Sequence, residues 1–356
     1  MKKIMRVGLD LAKSVFVVYG VDKREHCQLR RTLRRAELLP FFASLEPCLV
    51  GMESGSGAHY WARELRALGH DARIMDPRLV VPYRSQGRTG KNDSNDAAAI
   101  CEAVGRPKMR FVPIKDPDQQ AVLLVHRVRK GLVNEQNRVA NQLRGLLAEF
   151  GIVLPKGLLS LKRQWPGMRQ TEAEQVPGLA WEELDALYRR LCDLQQVIVA
   201  YDRKIQDHVQ RDPRAKRLTE IKGIGTITAS ALVATIGNGR DFKNGRQLGA
   251  WLGLVPRQYS SGGINRLGRI TRRGDDYLRT LLVHGARSEL MYVHRRDDQK
   301  SRWALKLREE KSWNKASVAL ANKHARIAWA ILARESRSPA ESCFVDDIGR
   351  TAARGT

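Results

Sequence analysis

Cysteine is scarce and poorly placed for chemistry. The chain holds five, Cys27, Cys48, Cys101, Cys192 and Cys343, scattered, odd in number and without a CxxC pair. That pattern speaks against a disulfide framework or a cysteine zinc site, and for a reducing compartment such as the cytoplasm. Long apolar runs are lacking too; none approaches the roughly 20 residues that cross a bilayer. The N-terminal stretch MKKIMRVGLDLAKSVFVVYGVD starts basic, but Asp10 and Lys13 interrupt its apolar part and no cleavage pattern follows. No signal peptide is read there. Acidic residues are also in deficit, 38 Asp plus Glu against 63 Lys plus Arg, which leaves a net charge of +25. Such a charge opposes compaction, and its commonest use is a polyanionic partner whose phosphates release counterions. Architectural and ribosomal proteins share it, so charge alone leaves catalysis open.

What is present is enough for several cores. The 356 residues exceed one ordinary domain, and 42% are hydrophobic, so two or three domains are expected. RVGLDL and SVFVVYGV read as strands joined by a tight turn, with a third at HCQLRRTL. A helix is expected in RRAELLPFFASL, a buried strand in CLVGMES, and an amphipathic helix in AHYWARELRALG that stops at Gly69. DARIMDP is another short strand, and NDSNDAAAICEAV opens a helix. The order predicts an α/β domain over residues 1–115.

Residues 116–212 change character. Apolar residues recur at Ala121, Val125, Val128, Leu132, Val139, Leu143, Leu146 and Phe150, with Glu135 in one heptad slot. Leu184, Leu187, Leu191, Leu194, Ile198, Tyr201 and Ile205 repeat the period more strictly. Both predict long helices with coiled-coil seams, joined by a linker that carries Pro155, Gly157, Pro166 and Pro177. A helical hairpin and an intermolecular coiled coil are equally allowed. A mostly helical third domain is expected over 213–335, and 336–356 reads as a disordered tail.

Four carboxylates stand out. Asp10 lies on the first strand, Glu53 ends a later one, and Asp93 and Asp96 fall three apart on the following helix. Neighbouring strand ends and one helix face could bring all four together. Together they would repel and raise one another's pKa, a problem that a pair of Mg²⁺ or Mn²⁺ ions removes. Two such ions serve phosphodiester chemistry. Taken singly, Asp10 could close a turn, Glu53 could be a strand-end charge and Asp93 could cap a helix. Acids inside the apolar runs VGLDL and LVGMES fit that reading less well, because unpaired burial is costly. Lys91 and Asn92 stand where they could contact phosphate.

Two further segments suggest nucleic acid. In IKGIGTITASAL, Gly223 and Gly225 precede a helix, as in a helix–hairpin–helix that offers backbone N–H groups to phosphate; a tight turn between packed helices is the alternative. In VPRQYSSGGINRLGRITRRG, Ser260 and Ser261 precede Gly262 and Gly263, among Arg257, Arg266, Arg269, Arg272 and Arg273. Guanidinium groups cradle phosphate. On residue chemistry alone the stretch reads as a Ser-containing turn in a basic DNA-contact loop, and serine is a poor nucleophile unless activated.

Taken together, RVGLDLAKSVFVV, VGMESGSGAHYWARELRALGHDARIMDPRLVVPYR, TGKNDSNDAAAICEA, NQLRGLLAEFGIVLP, LTEIKGIGTITASALVATIG and LGLVPRQYSSGGINRLGRITRRGDDYLR resemble the IS110 family of insertion-sequence recombinases, in its IS1111 branch. The resemblance covers nearly the whole chain. It implies a RuvC-type, RNase H-like N-terminal domain whose four acids match Asp10, Glu53, Asp93 and Asp96. It implies that a serine directly before glycine, hence Ser261 with Ser260 as the alternative, attacks DNA and forms a phosphoserine link. It also implies a guide (bridge) RNA encoded by the element, and a dimer to tetramer in which different subunits supply the two halves of the site. Two rivals remain at this stage: a metal-only junction nuclease that uses water, and a non-catalytic basic nucleic-acid-binding protein.

Overall fold

The computed structural model describes residues 3–84, 93–171 and 175–335. The segment before Asp93, with Lys91 and Asn92, and the expected tail at 336–356 lie outside the described residues. These residues form two compact units, one ending at Pro117 and one beginning at Asp118.

The first unit is built on strands β1 (Arg6–Leu11), β2 (Val15–Val21) and β3 (Cys27–Arg34), helix α1 (Leu38–Ala43), β4 (Leu49–Glu53), α2 (Ala58–Ala67), β5 (Asp71–Met75), the short α3 (Pro77–Val80), α4 (Asp93–Val104) and β6 (Phe111–Val112). The sheet order is β3-β2-β1-β4-β5-β6. β1, β2 and β3 are antiparallel, β4 and β5 run parallel to β1, and β6 returns antiparallel to β5. This is a mixed α/β sheet consistent with an RNase H-like domain. The two-residue β6 was not anticipated; it is too short to carry a period.

Alternation along the strands decides what each face meets. Val7 and Leu9 of β1, and Val50 and Met52 of β4, join Leu38, Phe42, Trp61 and Leu65 of α1 and α2 in one core. The intervening residues, Gly8 and Asp10 on β1 and Gly51 and Glu53 on β4, therefore belong to the opposite face, which α4 covers. Both glycines make that contact possible. A Cβ built on Gly8 would stand 2.0 Å from the Ala97 carbonyl oxygen, and one on Gly51 2.6 Å from the Val104 Cβ. The helix lies directly on the backbone of the sheet.

The second unit begins with α5 (Pro117–Ala148), α6 (Leu158–Thr171) and α7 (Gly178–Arg211). Gln136 donates to Gln195 at 3.0 Å, and Arg190 and Arg129 of these helices pair with Glu135 and Asp202. Partners that descend on α7 as they ascend on α5 make an antiparallel pair within one chain, the hairpin of the two arrangements the sequence allowed. The α7 seam is the expected one, with Leu184, Leu191, Leu194, Ile198 and Ile205 buried. On α5 the buried stripe is His126, Gln136, Val139, Ala140, Leu143 and Leu147, whereas Ala121, Val128 and Leu146 are exposed. The stripe steps at the 3.6-residue period of a straight helix, so a seam counted in sevens drifts off it. The expected linker contains α6, because Leu161, Trp165 and Met168 bury against the pair and Trp165 stacks on Tyr188 at 4.5 Å. Packing outweighs the helix-breaking tendency of Pro166.

Then follow α8 (Pro213–Leu218), α9 (Thr226–Ile236), α10 (Gly245–Trp251), strands β7 (Pro256–Ser261) and β8 (Ile264–Ile270), α11 (Asp276–Tyr292), α12 (Gln299–Glu310) and α13 (Trp313–Glu335). Helix α9 is buried on every side, as its lack of amphipathic pattern requires. Around it gather Leu278, Leu282 and Leu290 of α11 and Leu320, Ala321, Ala325 and Ala328 of α13. The serine stretch, read from sequence as a basic loop, is a two-stranded antiparallel ribbon, β7 against β8.

Candidate active site

The acidic residues sit where the sheet topology directs them. β1 and β4 are in register from Arg6 opposite Leu49 to Leu9 opposite Met52, so the next step sets Asp10 beside Glu53. Each lies two residues beyond the glycine on which α4 rests, and so on the same face. Because Ala97 sits over Gly8, Asp96 comes down at that end of the sheet and is only 5% exposed. Asp93 begins α4 one turn earlier; its side chain lies outside the described residues, as does Lys91.

A cation already stands among these carboxylates, and the sequence did not reveal it. Arg84 Nε lies 2.8 Å from Asp96 Oδ1, and Arg84 Nη2 lies 3.6 Å from Glu53 Oε1. The guanidinium is largely buried, at 13% side-chain exposure. Among the described residues no three His, Cys, Asp or Glu side chains gather as a metal group. The donor set nonetheless fits a hard divalent ion. It is all carboxylate oxygen, and positive charge is demanded there strongly enough to hold an arginine inside. The sequence signal for Arg84 is weak: it falls in a basic loop, nine residues before Asp93.

The helix–hairpin–helix-like turn between α8 and α9 is formed, but its glycines differ in role. Gly223 has φ +86°, and a Cβ there would lie 2.5 Å from His324 Cε1 and 2.9 Å from Glu289 Oε2. Gly223 thus serves close internal packing, the alternative named for this segment. Below it Glu289 accepts from His324 at 2.7 Å and pairs with Lys300 at 2.8 Å, while Lys300 donates to the Lys222 carbonyl. Those contacts hold the Glu289 carboxyl below its usual range against the opposing effect of burial. A Cβ on Gly225 would meet nothing within 4 Å, so that glycine alone leaves the approach to α9 open.

The ribbon places the serines and arginines. Gly262 and Gly263 form a two-residue turn with φ of +56° and +79°, the signature of a type I′ hairpin. Ser260 and Ser261, the last residues of β7, project to opposite faces. Ser260 accepts from Gln258 at 2.9 Å. Ser261 pairs across with Ile264, and Tyr259 with Arg266, so these four share the other face. Arg257, Arg266 and Arg269 are exposed along the ribbon, and Arg272 and Arg273 are exposed at its base. That base is pinned by Arg279, which donates to the Leu252 and Arg273 carbonyls at 2.9 and 2.8 Å and to Asp276 at 2.7 Å.

Comparison with known proteins supplies the family. A transposase family model named for the DEDD transposases of IS110 matches residues 7–152, which include Asp10, Glu53, Asp93 and Asp96. A second, described as the transposase IS116/IS110/IS902 family, matches residues 215–303 and contains the whole ribbon. The chain is 48% identical over 334 residues to a "Probable family 20 transposase" of Pseudomonas aeruginosa, covering 94% of this chain and 98% of that protein. It belongs to the IS110 family of transposases. It is also 39% identical to the transposase of IS1328 from Yersinia enterocolitica, over 93% of this chain and 97% of that protein. Identity to the IS1111A transposase of Coxiella burnetii is 37%, over 94% and 91%, in keeping with the IS1111 branch. The chain is therefore an enzyme that cleaves and rejoins DNA, and the DEDD match points to use of a divalent metal. Among the described residues no helix is long and apolar enough to cross a membrane.

Proposed function

We propose that this transposase mobilises its own insertion sequence by serine attack on DNA phosphodiesters, with Ser261 as the nucleophile. The observation that carries the reading is the place of Ser261: a hydroxyl beside the turn of an exposed, arginine-bearing ribbon, on the face shared with Arg266. Ser260, whose Oγ accepts a hydrogen bond from Gln258, is equally exposed and is the alternative nucleophile.

Asp10, Glu53, Asp93 and Asp96 would hold a divalent cation, Mg²⁺ or Mn²⁺ and by the resemblance two ions. When bound, such ions supply Lewis-acid charge beside the scissile phosphate and ease loss of the serine proton. The rest falls to the chain. Arg266, with Arg257 and Arg269, holds the non-bridging phosphate oxygens as a bidentate donor. Ser261 Oγ forms a bond to phosphorus as the bond to one deoxyribose oxygen breaks. The proton lost from the serine is matched by one gained on that departing oxygen, which leaves a phosphoserine link and a free DNA hydroxyl. Attack by a hydroxyl of the exchanged strand reverses the step and frees the serine. Lys91, Gly225, Arg272 and Arg273 contribute backbone contacts to DNA or RNA, while Gly223 is taken up by internal packing. A guide RNA from the same element selects the sites, and a homo-oligomer up to a tetramer brings one subunit's serine to a phosphate held by another's acids. The net charge of +25 supports polyanion binding of this extent.

The test is covalent trapping. The protein is incubated with its element's end-junction DNA, the candidate element RNA and Mg²⁺, then denatured and examined for a protein–DNA adduct. Loss of the adduct in Ser261→Ala but not Ser260→Ala is expected. Loss only in Ser260→Ala moves the nucleophile by one residue. Cleavage without adduct, indifferent to both serines and abolished by Asp10→Asn, means water attack and overturns the serine mechanism.

A further inference from the structure

The face of the ribbon that carries Ser261 also carries features that phosphate binding does not need. Tyr259 is 63% exposed and Ile264 60% exposed, although both are costly to leave in water. Tyr259, Ser260, Ser261, Ile264 and Arg266 line an open cavity of about 400 Å³. The Tyr259 ring leans over Gly268, whose built Cβ would lie 3.4 Å from Tyr259 Cε2. An aromatic ring, an aliphatic side chain, a guanidinium and a hydroxyl thus border one space on a solvent-exposed strand pair.

We propose that this cavity is a nucleotide subsite. It takes one unpaired DNA nucleotide next to the phosphate presented to Ser261, with the base stacked on Tyr259 against Ile264 and the nucleotide's phosphate on Arg266. Charge complementarity selects the occupant. Arg257, Arg266 and Arg269 all project from this short ribbon and would repel a second basic ribbon, whereas a nucleotide offers both an anion and a π-face. Aromatic side chains beside basic groups are the general means of holding unpaired bases without reading their sequence. Stacking would also fix the sugar–phosphate backbone at the serine, which cleavage requires. Tyr259 is on this account a positioning residue, and the inference rests on the reading that DNA reaches Ser261.

The experiment uses the full chain carrying Ser261→Ala, so that no chemistry intervenes, together with the candidate element RNA, Mg²⁺ and junction DNA containing 2-aminopurine at single positions on either side of the junction phosphate. The expected result is fluorescence quenching at one position. Tyr259→Ser should abolish it and weaken binding roughly five-fold or more, while Tyr259→Phe should retain it. Arg266→Gln should lower the salt dependence of binding by about one phosphate contact. Tyr259 is exposed, so the melting temperature should not move. Unchanged quenching and affinity in Tyr259→Ser, with DNA binding otherwise intact, overturns the subsite and leaves the serine mechanism standing. Quenching seen only with the ribonucleotide version of the probe overturns the DNA assignment in favour of RNA. A change in sedimentation instead of DNA binding means that the face packs on a second copy, and also overturns it. Failure of the parent to bind junction DNA at all would instead sink the proposed function.

Discussion

Arg84 Nε lies 2.8 Å from Asp96 Oδ1 while its Nη2 reaches toward Glu53, so one guanidinium bridges a helix acid and a strand-end acid. Two carboxylates on one covered face repel unless a cation stands by. Arg84 is such a cation.

Arg84→Ala should therefore destabilise the chain by roughly 1–3 kcal/mol in EDTA, since it removes a counter-charge from partly buried carboxylates. Mg²⁺ or Mn²⁺ should restore more stability to the variant than to the parent, because a ligand that binds only the folded state stabilises it by mass action. Melting curves with and without the ion check this. Equal metal-induced shifts in both proteins would show that Arg84 does not occupy the locus of the ion.

The acidic site depends on α4 lying flat on the sheet, and that depends on Gly8. Gly8→Ala would thrust a methyl into the Ala97 carbonyl and the Cys101 backbone, at 2.0 and 2.4 Å. Backbone atoms of a packed helix cannot step aside separately, so the expected loss is about 3 kcal/mol by urea denaturation. Gly55→Ala, where a Cβ would meet nothing within 4 Å, should change stability by about 0.5 kcal/mol or less. Similar losses at both sites would mean that the helix does not rest on Gly8.

These two sites mark what the sequence disclosed and what it hid. The short apolar runs VGLDL and LVGMES placed Asp10 and Glu53 on strands, because a strand buried on both faces reads as a near-continuous apolar run. The bridge from Arg84 was illegible, since it joins a loop to two elements by tertiary contact alone. Helix α6 was hidden behind Pro155, Gly157 and Pro166, which local propensity reads as a break until Trp165 finds Tyr188. The ribbon was hidden differently. Its two-residue Gly262–Gly263 turn is a hairpin signal, but Tyr259, Ile264 and Leu267 are all exposed, so no buried face produced a strand-like alternation.

A buried polar chain gives the second unit a pH dependence. His126 of α5 lies 3.0 Å from the Tyr277 hydroxyl and 2.9 Å from Ser230 Oγ, which in turn lies 3.1 Å from His208 Nδ1. Burial first, then the charges of Arg129 and His208, push His126 down to about 4 from its usual 6.5. Burial also lowers His208. The folded state thus binds fewer protons than the unfolded state between those values, so the stability is fully present above about pH 6.5 and is lost as pH falls toward 4. For His126 alone the loss is roughly 3 kcal/mol. Urea midpoints at pH 7 and pH 5 should differ clearly in the parent and less in His126→Asn. An unchanged difference in the variant would move the acid sensitivity elsewhere.

The turn at the tip of the ribbon offers a cleaner separation of structure from function. Gly262 and Gly263 both hold positive φ, a region that costs a β-branched residue about 1–2 kcal/mol. A two-stranded ribbon has little stability of its own to offset that cost. Gly262→Val should therefore spoil the hairpin. Because every residue of β7 is exposed, the melting temperature of the protein should stay within a degree or two of the parent's. Asn tolerates the same conformation and Asn-Gly is a favoured type I′ pair, so Gly262→Asn should keep the hairpin. If a formed ribbon is what presents Ser261, adduct yield should collapse in Gly262→Val and survive in Gly262→Asn. Equal yields from the two variants would mean that the serine reaches its phosphate without the hairpin, and that the turn serves something other than presentation.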